Sequence, residues 1–173
     1  MYLEYSGRQS GKTYRMCQQI VNDWRYKNDD QQILVCLPHR NMKYDILSTI
    51  SKVLEDLGID FLAHFEDVKE SLLFSYGKDY WSTANSRDIY RTYYDEFESM
   101  DEIQYLEDGY YVSSIREDSI HSKYFKKLKA MNGGQCADYT KQIAPHIELS
   151  VRTICDCTIQ ALMREGCQCG TMD

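Results

Sequence analysis

The chain has 173 residues, 43% hydrophobic and 27% charged, which suits one globular domain able to bury a core without disulfides or metals. Its net charge of −7 argues against coating nucleic acid by bulk attraction and leaves only local basic strips for such contacts. No apolar run nears the ~18 residues of a membrane span, and no charged-then-apolar start marks a secretory signal, so the seven cysteines read as reduced thiols of a cytoplasmic protein with no membrane partner.

Tyr2–Tyr5 reads as a short extended segment, followed by a helix from Gly11 to about Lys27 with Met16, Ile20, Val21 and Trp24 three to four residues apart. Asn28-Asp29-Asp30 breaks it. The continuous apolar run Ile33–Leu37 fits a strand buried on both faces, ended by Pro38. Met42 to Leu57 predicts a second helix with Ile46, Ile50, Val53, Leu54 and Leu57 on one stripe, stopped by Gly58. Ile59–Phe65 reads as a strand, Val68–Phe74 fits either helix or strand, and Tyr76–Arg87 reads as a polar loop or hairpin. Ile89–Tyr94 and Gly109–Ser114 are further strands, and Ser119 to Met131 a helix. Asn132-Gly133-Gly134-Gln135 reads as a linker, dividing residues 1–131 from a tail, 132–173, with a helix over Ile147–Arg164 and a Cys-rich end. Alternation of strand and helix predicts a three-layer α/β fold with a mainly parallel central sheet and a helical C-terminal extension.

The segment Ser6-Gly7-Arg8-Gln9-Ser10-Gly11-Lys12-Thr13 follows the first strand and opens the first helix. That is the setting of a phosphate-binding loop (Walker A), in which loop amides and a helix N-terminus surround phosphate oxygens. Gly11 lets the backbone approach closely, Lys12 reaches the β- and γ-phosphates, and the Thr13 hydroxyl is a ligand for Mg²⁺. The usual spacing is G-x-x-x-x-G-K-[ST]; here Ser6 stands at the first-glycine position and Gly7 follows it.

This loop resembles the deviant Walker A of the large terminase subunits, the DNA-packaging ATPases of tailed bacteriophages and related viruses. The likeness lies in Arg8, four residues before Lys12, and in the small residue replacing the first glycine. The resemblance implies a P-loop NTPase that binds and hydrolyses ATP with Mg²⁺, with Arg8 as a cis-acting finger or γ-phosphate sensor. It further implies double-stranded DNA as a partner, a homo-oligomeric ring or portal-type partner, and a host-cytoplasmic setting if viral. It covers about residues 2–130. No segment precedes the first strand to supply an adenine-contacting motif, and none is long enough for a nuclease, so an ATPase domain alone is expected.

Ile89–Phe97 reads as a Walker B strand lying beside the loop strand. Asp95 at its carboxyl end would hold Mg²⁺ and Glu96 would polarise the attacking water. Arg91 and Thr92 interrupt what should be an apolar run. Ser113-Ser114 resembles the terminase coupling motif, with Ile115 where proline is usual, which implies that Ser114 senses phosphate and relays hydrolysis to motion.

Cys155, Cys157, Cys167 and Cys169 could together ligate Zn²⁺, but C-x-C spacing places the first two about 200° apart on a helix, so small apolar helix residues and a reducible tail are the favoured reading. His39, His64, His121 and His146 share no ligand spacing. Lys123, Lys126 and Lys127 share a helix face that reads as solvated, with contact to a DNA backbone as the alternative. The expectation is an ATPase. A small nucleoside or metabolite kinase is a rival, though Arg87 and Arg91 are too few for its lid. A nucleotide-binding scaffold without turnover is the other.

Overall fold

The computed structural model describes residues 1–84, 87–114 and 124–139. Met1–Asp138 form one compact unit. Its elements in chain order are β1 (Tyr2–Ser6), α1 (Lys12–Tyr26), β2 (Gln32–Leu37), α2 (Met42–Asp56), α3 (Phe61–Glu70), β3 (Leu72–Tyr76), α4 (Tyr80–Ala84), β4 (Ile89–Asp95), a 3-10 turn (Phe97–Ser99), β5 (Tyr110–Ser114) and α5 (Phe125–Met131).

The strands form one sheet in the order β1-β5-β4-β2-β3, and every pairing among them is parallel. Successive strand residues point to opposite faces, so the sheet has two apolar sides. Ile33, Val35, Leu37, Tyr93 and Val112 meet the buried stripes of α1 and α2, namely Met16, Ile20 and Val21 with Ile46, Ile50 and Val53. On the other side, Leu34, Cys36, Tyr94 and Tyr111 pack with Leu3, Tyr5, Phe97 and Leu128 of α5. An α/β fold with helices on both faces of a parallel sheet is the result.

Local chemistry explains the boundaries. Gly58 (φ 67°) ends α2, with Gly58 N–H donating to Glu55 O and Ile59 N–H to Leu54 O, a Schellman closure. Two residues later Asp60 accepts from the amides of Leu62 (3.0 Å) and Ala63 (3.3 Å) and starts α3.

Three expectations need correction. Ile59–Phe65 is not a strand: the Asp60 cap turns the chain helical, and Phe61, Phe65 and Val68 fall on one helical stripe. The supposed loop at Tyr76–Arg87 contains the short helix α4. The strand carrying Asp95 does not lie beside β1, because β5 intervenes and pairs with both. The expected helix start at Ser119–Lys123 lies outside the described residues, and so do Ile147–Arg164 and the cysteine tail; α5 begins at Phe125. Asn132–Gln135 forms a turn with Gly133 and Gly134 at φ 62° and 81°. It returns the chain to β1, where Ala137 donates to Leu3 O and accepts from Tyr5 N–H, each at 2.9 Å.

Candidate functional site

The loop between β1 and α1 is held in shape by two left-handed residues, Gln9 at φ 59° and Gly11 at φ 78°. Gly11 is the N-cap of α1, and among the described residues no side chain caps the helix there. The first-turn amides therefore lack the side-chain acceptor that most helix starts supply, and they carry the positive end of the helix dipole. A Cβ at Gly11 would sit 3.2 Å from the Arg15 guanidinium.

That guanidinium braces the loop from behind. Arg15 donates through Nη1 to the Ser10 carbonyl at 2.8 Å and through Nε to Glu4 at 3.2 Å, and its Nη2 pairs with the other Glu4 oxygen. Glu4 is fully buried in β1 and also accepts from Ser6 Oγ and Tyr2 Oη, each at 3.0 Å. Four donors to one carboxylate satisfy a charge that would otherwise be very costly in the interior. Sequence reading missed this pair. Its signal was a glutamate at an inward strand position with an arginine eleven residues on.

Lys12 is buried, and its Nζ lies 3.0 Å from Glu96 Oε1. The Thr13 hydroxyl faces both Asp95 oxygens at 3.4 and 3.5 Å, long contacts that a shared cation would tighten. The structure thus brings together Lys12, Thr13, Asp95 and Glu96, although 82 residues separate Thr13 from Asp95. Glu96 itself is left-handed (φ 51°). It accepts from the Ser114 amide at 2.9 Å, the Ser114 hydroxyl at 2.6 Å and the Ser113 hydroxyl at 3.4 Å. Ser114 reaches it because β5 lies between β1 and β4.

The two neighbouring carboxylates are driven apart electrostatically. Burial, reinforced by the charge of Glu96, pushes Asp95 up to about 7 despite the opposing pull of Lys12 and the Thr13 hydroxyl. Burial also acts to raise Glu96, but the Ser114 hydroxyl and amide together with Lys12 outweigh it and leave that carboxyl below its ordinary value. Arg91, which interrupts the apolar run of β4, has a structural partner: it donates to Asp23 of α1 at 2.8 Å, where Tyr93 Oη also donates at 2.5 Å.

Other sequence candidates fall elsewhere. Arg8 is exposed and pairs with no carboxylate among the described residues. Ser6 and Ser10 are buried, Gly7 is half-buried and Gln9 exposed. His64 lies 3.8 Å from Asp67, His39 is exposed, and His121 and His146 lie outside the described residues. Lys127 stands 3.7 Å over the Tyr105 ring, Lys126 is exposed, and Lys123 is outside the described residues. Cys155, Cys157, Cys167 and Cys169 are outside them as well, and among the described residues no three His, Cys, Asp or Glu side chains form a metal cluster. No helix among the described residues is long and apolar enough to cross a membrane. A cavity opens at the amino ends of β2 and β3, beside Trp24, Asp29, Asp67, Glu70 and Asp88, at the opposite ends of the strands from Lys12 and Glu96.

Compared with known proteins, the chain matches no family model, no curated protein and no solved structure. The reading of the site therefore rests on its own geometry.

Proposed function

We propose that this protein is a P-loop NTPase that binds and hydrolyses ATP. The observation that carries the reading is the meeting of Thr13 with Asp95 at 3.4 Å, directly beside Lys12 and Glu96 at 3.0 Å. A hydroxyl and a carboxylate at the mouth of an uncapped helix are hard oxygen donors of the kind Mg²⁺ takes. The raised affinity of Asp95 for a proton marks a buried carboxylate that lacks its full share of positive charge, which also fits a cation.

Within this reading the amides at the start of α1 bind the phosphate tail, and Thr13 and Asp95 hold Mg²⁺, which when bound neutralises phosphate charge. Lys12 exchanges Glu96 for phosphate oxygens. Glu96, kept ionised by Ser114, orients a water and accepts its proton. Arg8, exposed at the loop, is free to approach the γ-phosphate as the terminase resemblance implies. The same resemblance extends the proposal to a DNA-translocating motor working as an oligomer.

The test is phosphate release from ATP with and without double-stranded DNA, at a concentration high enough for assembly. Turnover should vanish in Lys12→Ala; turnover at the parent rate in that variant would refute the assignment. A second reading, nucleotide binding without hydrolysis, draws on the grip of Ser114 on Glu96: a carboxylate that never leaves Ser114 activates no water. ATP binding with no phosphate release by the assembled protein would select it.

A further inference from the structure

The turn that leaves β2 meets the end of β3 in a basic and aromatic surface. Cys36 pairs with Tyr94, so the residues that follow them, Leu37 and Asp95, reach the same edge of the sheet, and Pro38–Asn41 turns from there into α2. Gly77 N–H donates to Leu37 O at 3.3 Å and ties the end of β3 to that turn. Phe74 and Tyr76, alternate residues of β3, share one face of the strand that ends the sheet order. Each of these half-buried rings carries a cation: Lys43 Nζ lies 4.9 Å from the centre of Phe74, and the Arg40 guanidinium 5.6 Å from that of Tyr76. Tyr44, the next residue of α2, is 75% exposed. Burial raises the pKa of the Tyr76 hydroxyl, Arg40 opposes the rise and Tyr44 adds to it, so the three side chains stand within electrostatic reach of one another. Among the described residues no carboxylate pairs with Arg40 or Lys43. Asp45 lies about 200° round the helix from Lys43 and points elsewhere. In a chain with 27 acidic and 20 basic residues, two cations seated on neighbouring rings without an acidic partner form a local positive strip on an otherwise negative molecule.

We propose that this surface binds single-stranded nucleic acid. Arg40 and Lys43 meet phosphates of the backbone, and the exposed Tyr44 ring stacks on a base. The charge selects a polyanion. The aromatic ring selects a nucleic acid over an acidic peptide, which has no base to stack. It also selects a single strand over a duplex, whose bases are already stacked inside the helix. The proposal goes beyond the nucleotide reading and stands without it, because the contact uses neither ATP nor the loop after β1. A strand held here would lie along the same edge of the sheet as Asp95 and Glu96.

Fluorescence anisotropy of a labelled oligothymidylate, titrated with the full chain at several salt concentrations and without ATP, tests it. The parent should bind this single strand more tightly than a duplex of the same length, and polyglutamate should not displace it. Arg40→Gln and Lys43→Gln should each weaken binding and lower the slope of log Kd against log salt by about 0.7, the share of one phosphate contact on a single strand. Tyr44→Ala should weaken binding about tenfold and leave the salt slope unchanged, because stacking releases no counterions. Lys52→Gln, the same change of charge at an exposed position further along α2, should bind as the parent does. Melting curves of the four variants should match the parent, since Arg40, Tyr44 and Lys52 are exposed and Lys43 is only half-buried. No binding by the parent would overturn the proposal. So would parent-like binding in Arg40→Gln and Lys43→Gln, an equal loss in Lys52→Gln, tighter binding of the duplex, or displacement by polyglutamate. Lys12→Ala should bind the strand normally, so loss of ATP turnover and loss of strand binding are separately readable.

Discussion

Ser114 grips Glu96 twice, donating its amide to Oε2 at 2.9 Å and its hydroxyl to Oε1 at 2.6 Å. The strand between the loop and the acidic pair thereby holds the residue proposed to activate water, so the state of β5 and the orientation of Glu96 cannot change independently.

Replacing Ser114 with alanine removes the shorter of these bonds and keeps the amide. Stability should fall by about 1.5–3 kcal/mol in a urea titration, the usual worth of a hydrogen bond to a charged group. Turnover should fall by about one to two orders of magnitude as Glu96 loses its alignment. Unchanged kcat would show that Glu96 acts without Ser114.

The raised Asp95 carboxyl makes a pH prediction. Its folded value of about 7 exceeds the ordinary 3.8, so between those limits the folded state holds a proton that the unfolded chain has released. This group therefore makes stability decline as pH rises from about 4 to 7. Glu96 has the opposite sign: its contribution is present above its ordinary value and is lost as pH falls through its lower folded value. Asp95→Asn should flatten the melting-temperature profile between about pH 4 and 7 while leaving the acid side intact; an unchanged slope there would assign the decline to other groups.

The loop's two left-handed residues should respond in opposite ways to small substitutions. Gln9 holds φ 59° with a side chain, a conformation costing about 1–2 kcal/mol for a non-glycine residue, so Gln9→Gly should raise the melting temperature. Gly11→Ala adds a Cβ at φ 78° and 3.2 Å from Arg15, so it should lower stability by about 1–2 kcal/mol and weaken nucleotide binding together. Calorimetric melts of the pair check both signs.

Asp23 offers a control away from the loop. Asp23→Ala strands Arg91 and the fully buried Tyr93 hydroxyl. Because Arg91 keeps some solvent contact, the loss should be about 2 kcal/mol, below that for a wholly buried pair. ATP affinity measured at a temperature where the variant remains folded should match the parent; a parallel loss would mean that α1 transmits strain to the loop.

The elements that sequence reading located are those whose cause is local. The short apolar and aromatic runs marked β1 and β5, the i, i+3, i+4 stripe marked α1 and α2, and the branched run at Ile33–Leu37 marked β2. At Ile59–Phe65 a short, mostly apolar segment satisfied strand and helix alike, and the deciding feature was a polar residue near its start, the Asp60 cap. Val68–Phe74 was ambiguous between helix and strand because it spans the end of α3 and the start of β3. The convergence of Lys12, Thr13, Asp95 and Glu96 was legible from residue types and order. The insertion of β5 between β1 and β4 was not, because strand order depends on crossovers that leave no local periodicity. Arg91 seemed to weaken β4 for a related reason: its partner, Asp23, lies 68 residues away on α1.

The strand that carries the loop is bonded on both flanks, to β5 along one and to Ala137 at the other. Deuterium should therefore enter the amides of Leu3 to Tyr5 among the last in the sheet, while those of Arg8 and Gln9 exchange early. Motion in the loop would then start from a stationary root, and an opening event at the candidate site need not loosen the sheet beneath it.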